Sequence, residues 1–190
     1  MIDEIEKLFT DSYEVLKKSI SLSDGIEKCV SSIVNCYVNG NKVILFGNGG
    51  SAADAQHIAA EFIGRFKLER KSYPAIALTT DTSILTSLSN DYSSDVIFSR
   101  QCESLVCKGD VVIGISTSGK SKNVENGILM AKEKGAITIG LLGNDGGDLK
   151  NLVDFSLIVD STETPRIQEV HRVIYHIICE IVEKKLSVEK

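Results

Sequence analysis

The chemistry of this 190-residue chain starts with its three histidines. His57 and Glu61 are four residues apart. Positions i and i+4 of a helix share a face, so this imidazole and carboxylate can meet a common substrate atom or metal ion. The pair alone is equally compatible with a surface or core contact that has no function. A second group comprises Gln168, Glu169, His171 and His176. At about 100° per residue, Gln168 and His176 lie about 80° apart around a helix axis, whereas His171 and His176 lie about 140° apart. The two histidines therefore cannot serve one site from one straight helix. Gln168 and His176 share a broad face but stand about 12 Å apart along the axis. To share one metal ion they must both lean inward, or the ligands must come from two subunits. Spacing alone also leaves His176 open as a core histidine, because Ile174, Ile177 and Ile178 surround it.

Two loops could hold an anion. Gly47-Asn48-Gly49-Gly50-Ser51 opens directly into Ala52-Ala53-Asp54-Ala55, and Ser116-Thr117-Ser118-Gly119-Lys120-Ser121 opens into Lys122-Asn123-Val124-Glu125. Both put small residues and hydroxyls at a helix N-terminus, where free N–H groups and the helix dipole attract negative charge. Glycines let backbone approach a phosphate, and hydroxyls add donors without bulk. Any strand-to-helix turn favours Gly and a Ser cap, which leaves the first loop open to that plainer reading. The second loop has four hydroxyl residues in six positions, more than one cap needs, and favours a ligand. The glycines at 47, 49 and 50 break the Gly-x-Gly-x-x-Gly pattern, so no dinucleotide is implied. Gly143-Asn144-Asp145-Gly146-Gly147-Asp148 reads as a plain connection whose aspartates would repel a phosphate.

The surrounding pattern supplies elements to hold these groups. Ile2, Ile5, Leu8, Phe9, Leu16 and Ile20 recur at helical spacing over 3–20. Asp24 can cap a second helix with the stripe Ile26, Cys29, Val30, Ile33, Val34, Tyr37 and Val38, which Asn39-Gly40 would end. Five short runs with no polar face follow, at 43–46, 75–78, 111–115, 137–142 and 155–159, as expected of parallel strands buried on both faces. Helical stretches at 51–64, 82–88, 93–107, 121–134 and 165–186 alternate with them. The expectation is one α/β domain over 1–190: a three-layer αβα, doubly wound sheet of five parallel strands over 41–190, preceded by a helical hairpin over 1–40.

Composition narrows the function classes. With 21 Lys+Arg against 26 Asp+Glu and a net charge of −5, the chain lacks the basic excess of a nucleic-acid binder. No window reaches the roughly 18 apolar residues of a membrane span. Met1–Lys7 shows neither the basic nor the apolar region of a secretory signal. Five cysteines without a Cys-x-x-Cys pair suit reduced thiols in a cytosol rather than disulfides or a zinc knuckle.

Taken together, several stretches resemble the sugar isomerase (SIS) domain family and, within it, the phosphoheptose isomerases. They are Phe46-Gly47-Asn48-Gly49-Gly50-Ser51-Ala52-Ala53-Asp54-Ala55-Gln56-His57, Ala60-Glu61-Phe62-Ile63-Gly64-Arg65-Phe66, Asn90-Asp91-Tyr92, Phe98-Ser99-Arg100, Gly114-Ile115-Ser116-Thr117-Ser118-Gly119-Lys120-Ser121 and Arg166-Ile167-Gln168-Glu169-Val170-His171, with His176 following. The likeness runs along essentially the whole chain. The Ser-Thr-Ser-Gly turn marks only the superfamily, and the His57/Glu61 and Gln168/His176 pairs are the specific part. The resemblance implies a flavodoxin-like fold and a cytoplasmic homotetramer with active sites between subunits and no nucleic-acid or membrane partner. It also implies conversion of sedoheptulose 7-phosphate to D-glycero-D-manno-heptose 7-phosphate for bacterial surface heptose. By that match Ser116, Thr117, Ser118 and Ser121 hold the phosphate, and Asn48, Gly49, Gly50, Ser51, Glu61, Asn90, Asp91 and Gln168 contact the sugar. The same resemblance implies that His57, Glu61, Gln168 and His176 would bind one zinc per subunit; in the enediol mechanism such a conversion needs, Glu61 would be the base and His176 the acid. A carboxylate engaged on zinc is a poorer base, which leaves open whether the metal is catalytic or orders the site. Ala52-Ala53 and Ser89 depart mildly from the family pattern. The competing reading is a non-catalytic tetrameric binding protein of the same fold, of the replication-initiator-associating type.

Overall fold

The computed structural model describes residues 1–188. Its sheet consists of β1 (Val43–Gly47), β2 (Ala75–Ala77), β3 (Val111–Ser116), β4 (Ile137–Gly143) and β5 (Phe155–Val159). All four neighbouring pairs are parallel, in the order β2-β1-β3-β4-β5. β1 and β3 are buried at every position. This accounts for the unbroken apolar runs in the sequence: a strand covered on both faces has no position for a polar side chain.

The covering helices are α1 (Ile2–Lys18), α2 (Ser23–Val38), α3 (Gly50–Ile63), α4 (Thr82–Asp91), α5 (Ser99–Leu105), α6 (Lys122–Glu133) and α7 (Thr164–Val188). α2, α3 and α7 pack one sheet face, where Ile33, Ile58, Tyr175 and Ile178 join Leu45, Ile113, Ile139 and Leu157. α5 and α6 close the other face, with Phe98, Cys102, Val124 and Ile128 against Ile44, Phe46, Val112 and Leu142. The rings of Phe46 and Phe98 stack at 4.9 Å. Gly127 of α6 lets them do so, since a Cβ there would lie 2.7 Å from Phe46.

Two local expectations need correction. Asp24 sits inside the first turn of α2, whose cap position is Leu22, because a 3-10 turn (Ser19–Leu22) leads straight into the helix. The stretch 93–107 is not one helix. The Ser93 hydroxyl accepts the Asp95 N–H and sets a short 3-10 turn (Ser94–Val96), and α5 begins only at Ser99. α1 buries none of its residues within the chain, although its apolar stripe is regular. Asn39 and Gly40 do end α2, with Gly40 at φ +76°.

The strand order reverses between β1 and β3, and ligands of such sheets bind beyond the carboxyl ends of the strands at that reversal. The two small-residue loops occupy this position, 47–51 after β1 and 116–121 after β3.

Candidate active site

Loop 47–51 is held open by its glycines. Gly47 ends β1 where a Cβ would lie 2.8 Å from Ser51 Cβ and 2.9 Å from the Ile115 carbonyl. Gly49 takes φ +55° and stands at the cap position of α3 without capping it through a side chain. The Ala52 N–H turns back onto the Gly49 carbonyl at 3.1 Å, and the helix start, without a side-chain cap, presents the positive end of its dipole. Ser51 is buried and donates its N–H to the Asn48 carbonyl at 3.0 Å. Asn48 reaches across the crevice to α6: Asn48 and Asn123 exchange amide hydrogen bonds of 2.8 and 3.1 Å.

Loop 116–121 gathers its hydroxyls. Ser116 Oγ lies 3.1 Å from Ser121 Oγ and 3.5 Å from Ser118 Oγ, and it accepts the Gly119 N–H at 3.1 Å. Ser118 Oγ accepts the Lys120 N–H at 3.2 Å. Ser121 occupies the cap position of α6 but makes no capping bond, so a second helix N-terminus opens here. The Gly143–Asp148 turn, which reads from sequence as a plain connection, supports this loop. Asn144 Nδ2 donates to the Thr117 carbonyl at 2.9 Å, and Leu149 N–H to the Gly119 carbonyl at 3.2 Å. Gly119 (φ +66°) and Gly147 (φ +52°) are in backbone-to-backbone contact, with no room for a Cβ on either. Asp145 Oδ1 accepts the Gly147 N–H at 3.1 Å, so this carboxylate is spent on its own turn. An open cleft of about 570 Å³ beside the loop is lined by Ser118, Lys120, Asn144 and Asp160 among others.

α3 carries His57 and Glu61 away from the sheet edge, and α7 runs beside it. His57 Nε2 lies 2.9 Å from Glu61 Oε1. The His176 ring meets the His57 ring edge-on, at 5.2 Å between centroids, and the Phe66 ring lies tilted at 5.5 Å from it. Ligand atoms of His57, Glu61 and His176 all fall within 4.8 Å of one another. Two imidazoles and a carboxylate are a donor set suited to zinc-type ions. His57 also has the outer partner that metal-ligating histidines need: its Nδ1 lies 3.1 Å from the Tyr175 hydroxyl. These three residues could hold a metal ion. Burial and then the adjacent His57 lower the His176 pKa, partly offset by Glu61, which favours the neutral form able to ligate.

Gln168 is not beside this trio. Its amide lies against Gly50, where a Cβ would lie 3.1 Å from its Cδ. Eight residues, about 12 Å of straight helix, separate it from His176. His171 points the other way: it is fully buried, with Nε2 3.0 Å from the Leu142 carbonyl, and burial lowers its pKa. Asn90 and Asp91 are exposed at the end of α4 and bonded to each other at 2.9 Å, with no hydrogen bond to either loop among the described residues. Buried Arg70 and Glu183, which carried no motif, tie the two functional helices together. Arg70 donates to the carbonyls of Glu61 at 2.8 Å and Phe62 at 2.9 Å, capping α3, and Nε donates to Glu183 of α7 at 2.9 Å.

No helix among the described residues is long and apolar enough to cross a membrane. Residues 9–143 match the SIS domain family. The chain is 54% identical over 188 residues to the phosphoheptose isomerase of Geotalea uraniireducens, covering 98% of this chain and 99% of that one. It is also 54% identical over 191 residues to the phosphoheptose isomerase of Clostridium acetobutylicum, covering 98% and 96%. Among solved structures it is similar to the phosphoheptose isomerase GmhA of Neisseria gonorrhoeae (TM-score 0.91, 38% identity, 96% of this chain and 98% of that chain). The Francisella tularensis phosphoheptose isomerase matches with TM-score 0.93 and 34% identity over the same shares. With a family match over residues 9–143 and relatives 54% identical over nearly their whole length, the chain belongs to the SIS domain family, and within it to the phosphoheptose isomerases.

Proposed function

We propose that this chain isomerises sedoheptulose 7-phosphate to D-glycero-D-manno-heptose 7-phosphate in the cytoplasm, the first step toward bacterial surface heptose. The observation that carries this reading is the cluster of His57 and Glu61 of α3 with His176 of α7, on a helix pair whose α3 member starts at the 47–51 loop without a side-chain cap. Relatives named phosphoheptose isomerase that match over nearly the full length support it. Ser116, Thr117, Ser118 and Ser121 bind the phosphate with hydroxyls and the α6 N–H groups. Asn48, Gly49, Gly50, Ser51, Asn90, Asp91 and Gln168 orient the sugar. A ketose-to-aldose conversion removes a proton from one carbon, passes through an enediol and returns a proton to the next. Glu61 takes and returns the carbon proton, and the His176 ring supplies a proton to the sugar oxygen. A zinc ion held by His57, Glu61, Gln168 and His176 would polarise the carbonyl and steady negative charge on the sugar oxygens.

The same reading makes the enzyme a homotetramer with shared sites. Gln168 cannot join His57, Glu61 and His176 along one straight helix, but a second subunit can supply it. The α1 stripe supports association: Ile2 and Phe9 are 72% and 74% exposed, and Ile5, Leu8, Leu16 and Ile20 continue the face. Contiguous apolar surface of this kind is uncommon on monomers.

The test is incubation with sedoheptulose 7-phosphate and detection of an aldose phosphate. Glu61→Gln and His176→Gln should each lower turnover about 10²–10⁴-fold with the oligomer intact. Near-normal turnover in either would refute the assignment. No conversion by the parent protein, with or without added zinc, would favour a non-catalytic binding protein instead.

A further inference from the structure

Asp54 is 2% exposed, lies in α3 one turn before His57, and has no part in the chemistry above. Its Oδ1 accepts from Arg172 Nε at 3.2 Å and lies 3.3 Å from the Tyr175 hydroxyl, which in turn lies 3.1 Å from His57 Nδ1. A hydroxyl has one proton, and a carboxylate can only accept. Tyr175 must therefore donate to Asp54, so its oxygen is left to accept from His57, and the His57 proton is fixed on Nδ1. His57 Nε2 then turns a lone pair toward Glu61 Oε1, 2.9 Å away. Two lone pairs at that distance repel unless a second proton or a metal ion lies between them. The surroundings of His57 are thus arranged for a cation.

We infer that Asp54 and Tyr175 are positioning residues for the metal centre: with Arg172 they form a one-way donor chain that holds His57 in the Nδ1–H tautomer with Nε2 free to ligate. The inference rests on the metal-binding part of the proposed function, and the two can fail separately.

The test uses the full-length oligomer labelled with ¹⁵N-histidine. Only three histidines need assignment. Long-range ¹H–¹⁵N correlations are recorded on the metal-free protein about two units above the ordinary histidine pKa. The parent His57 should show the Nδ1-protonated pattern. Tyr175→Phe removes the acceptor, and Asp54→Asn, whose amide can donate to the Tyr175 oxygen, reverses the chain. Both should move the proton to Nε2. Zinc affinity, measured by competition with a chromophoric chelator, should weaken about 10–100-fold in each, as is usual when the outer partner of a ligand is lost. An Nε2-protonated His57 in the parent overturns the inference, as does zinc binding within threefold of the parent in both variants. If the parent binds no zinc, the metal reading fails and the tautomer pattern alone decides the donor chain. If Tyr175→Phe does not fold, Asp54→Asn and the parent spectrum carry the test.

Discussion

Gly50→Ala should cripple the enzyme without unfolding it. Gly50 is the first residue of α3 and does not take a positive φ, so its backbone accepts alanine. Alanine is favoured over glycine in a helix by up to about 1 kcal/mol. A Cβ at this position would collide with the Gln168 Nε2, while Cδ and Oε1 would be 3.1 and 3.3 Å away. These atoms are the free end of a flexible side chain, so Gln168 can swing aside. The net change in stability should stay within about 1 kcal/mol, a shift of about 2–4 °C in Tm for a chain of this size. The position of Gln168 is lost instead. A misplacement of about 1 Å in a positioning group can lower turnover about 10²-fold, or about 2.7 kcal/mol in transition-state free energy. The assay is kcat/KM for sedoheptulose 7-phosphate in Gly50→Ala, Gln168→Ala and the double variant, with thermal melts of each. If the alanine acts through Gln168, the double variant is no worse than Gln168→Ala, and the coupling energy is about the whole single-variant effect. Activity within threefold of the parent, or additive losses in the double variant, would refute the reasoning.

Gly119→Ala contrasts with this, because the added Cβ meets the backbone of Gly146 rather than a movable side chain, and φ is +66°. The left-handed conformation alone costs about 1–2 kcal/mol. Urea unfolding should show a loss of about 2–4 kcal/mol once the retreat of the 143–149 turn is included, and KM should rise more than kcat falls; an unchanged KM would remove this loop from phosphate binding. Glu183→Gln should destabilise by about 3–5 kcal/mol, since Arg70 then loses its buried partner and the Lys67 and Leu68 N–H groups, or the Phe66 N–H, face an amide. Burial alone would raise the Glu183 pKa, but hydrogen bonds from the Lys67, Phe66 and Leu68 N–H groups and the Arg70 charge outweigh it and hold it below the usual carboxylate range. Its contribution is therefore complete above the unfolded value of about 4.3 and disappears as pH falls through the lower folded value. Urea midpoints measured against pH should show a shallower acid limb in the variant; parallel limbs would contradict the assignment.

The parts of this molecule legible in sequence are those set by local rules. The apolar runs at 43–46 and 111–115 mark strands because both faces of β1 and β3 are covered. The His57–Glu61 pair follows from one helical turn, and the loops at 47–51 and 116–121 follow from glycine and hydroxyl content at helix starts. What escaped reading depends on partners far apart in the chain. Asn48 and Asn123 are 75 positions apart, Arg70 and Glu183 are 113 apart, and Asp54 and Tyr175 are 121 apart. No periodicity encodes such pairings. Tyr175 reads as one more apolar residue of α7, yet its hydroxyl is the group that reaches His57. The aspartates of the 143–148 turn read as repulsive to phosphate because free carboxylates are; Asp145 is bonded to its own turn, and burying the turn against Gly119 makes it a support for the anion loop.

The charge distribution along α3 explains how a chain of net charge −5 can serve an anionic sugar. The N-terminus of α3 has no side-chain cap and presents the positive end of its dipole, which favours negative charge. Near its C-terminus stand His57 and Glu61, and the carbonyls of Glu61 and Phe62 accept from the buried Arg70 guanidinium, so the negative end of the dipole is met by positive charge. One helix thus prefers an anion at one end and a cation at the other without a basic surface. Gly50 and Glu61 lie eleven residues apart, about 16 Å at 1.5 Å per residue. In the proposed function the phosphate lies on the 116–121 loop and the sugar meets loop 47–51 at the first end, so a carboxylate about 16 Å along the same helix is poorly placed for a sugar bound within one subunit. That reading therefore draws His57, Glu61 and His176 from a second subunit, an arrangement that also brings Gln168 of one subunit to the histidines of another.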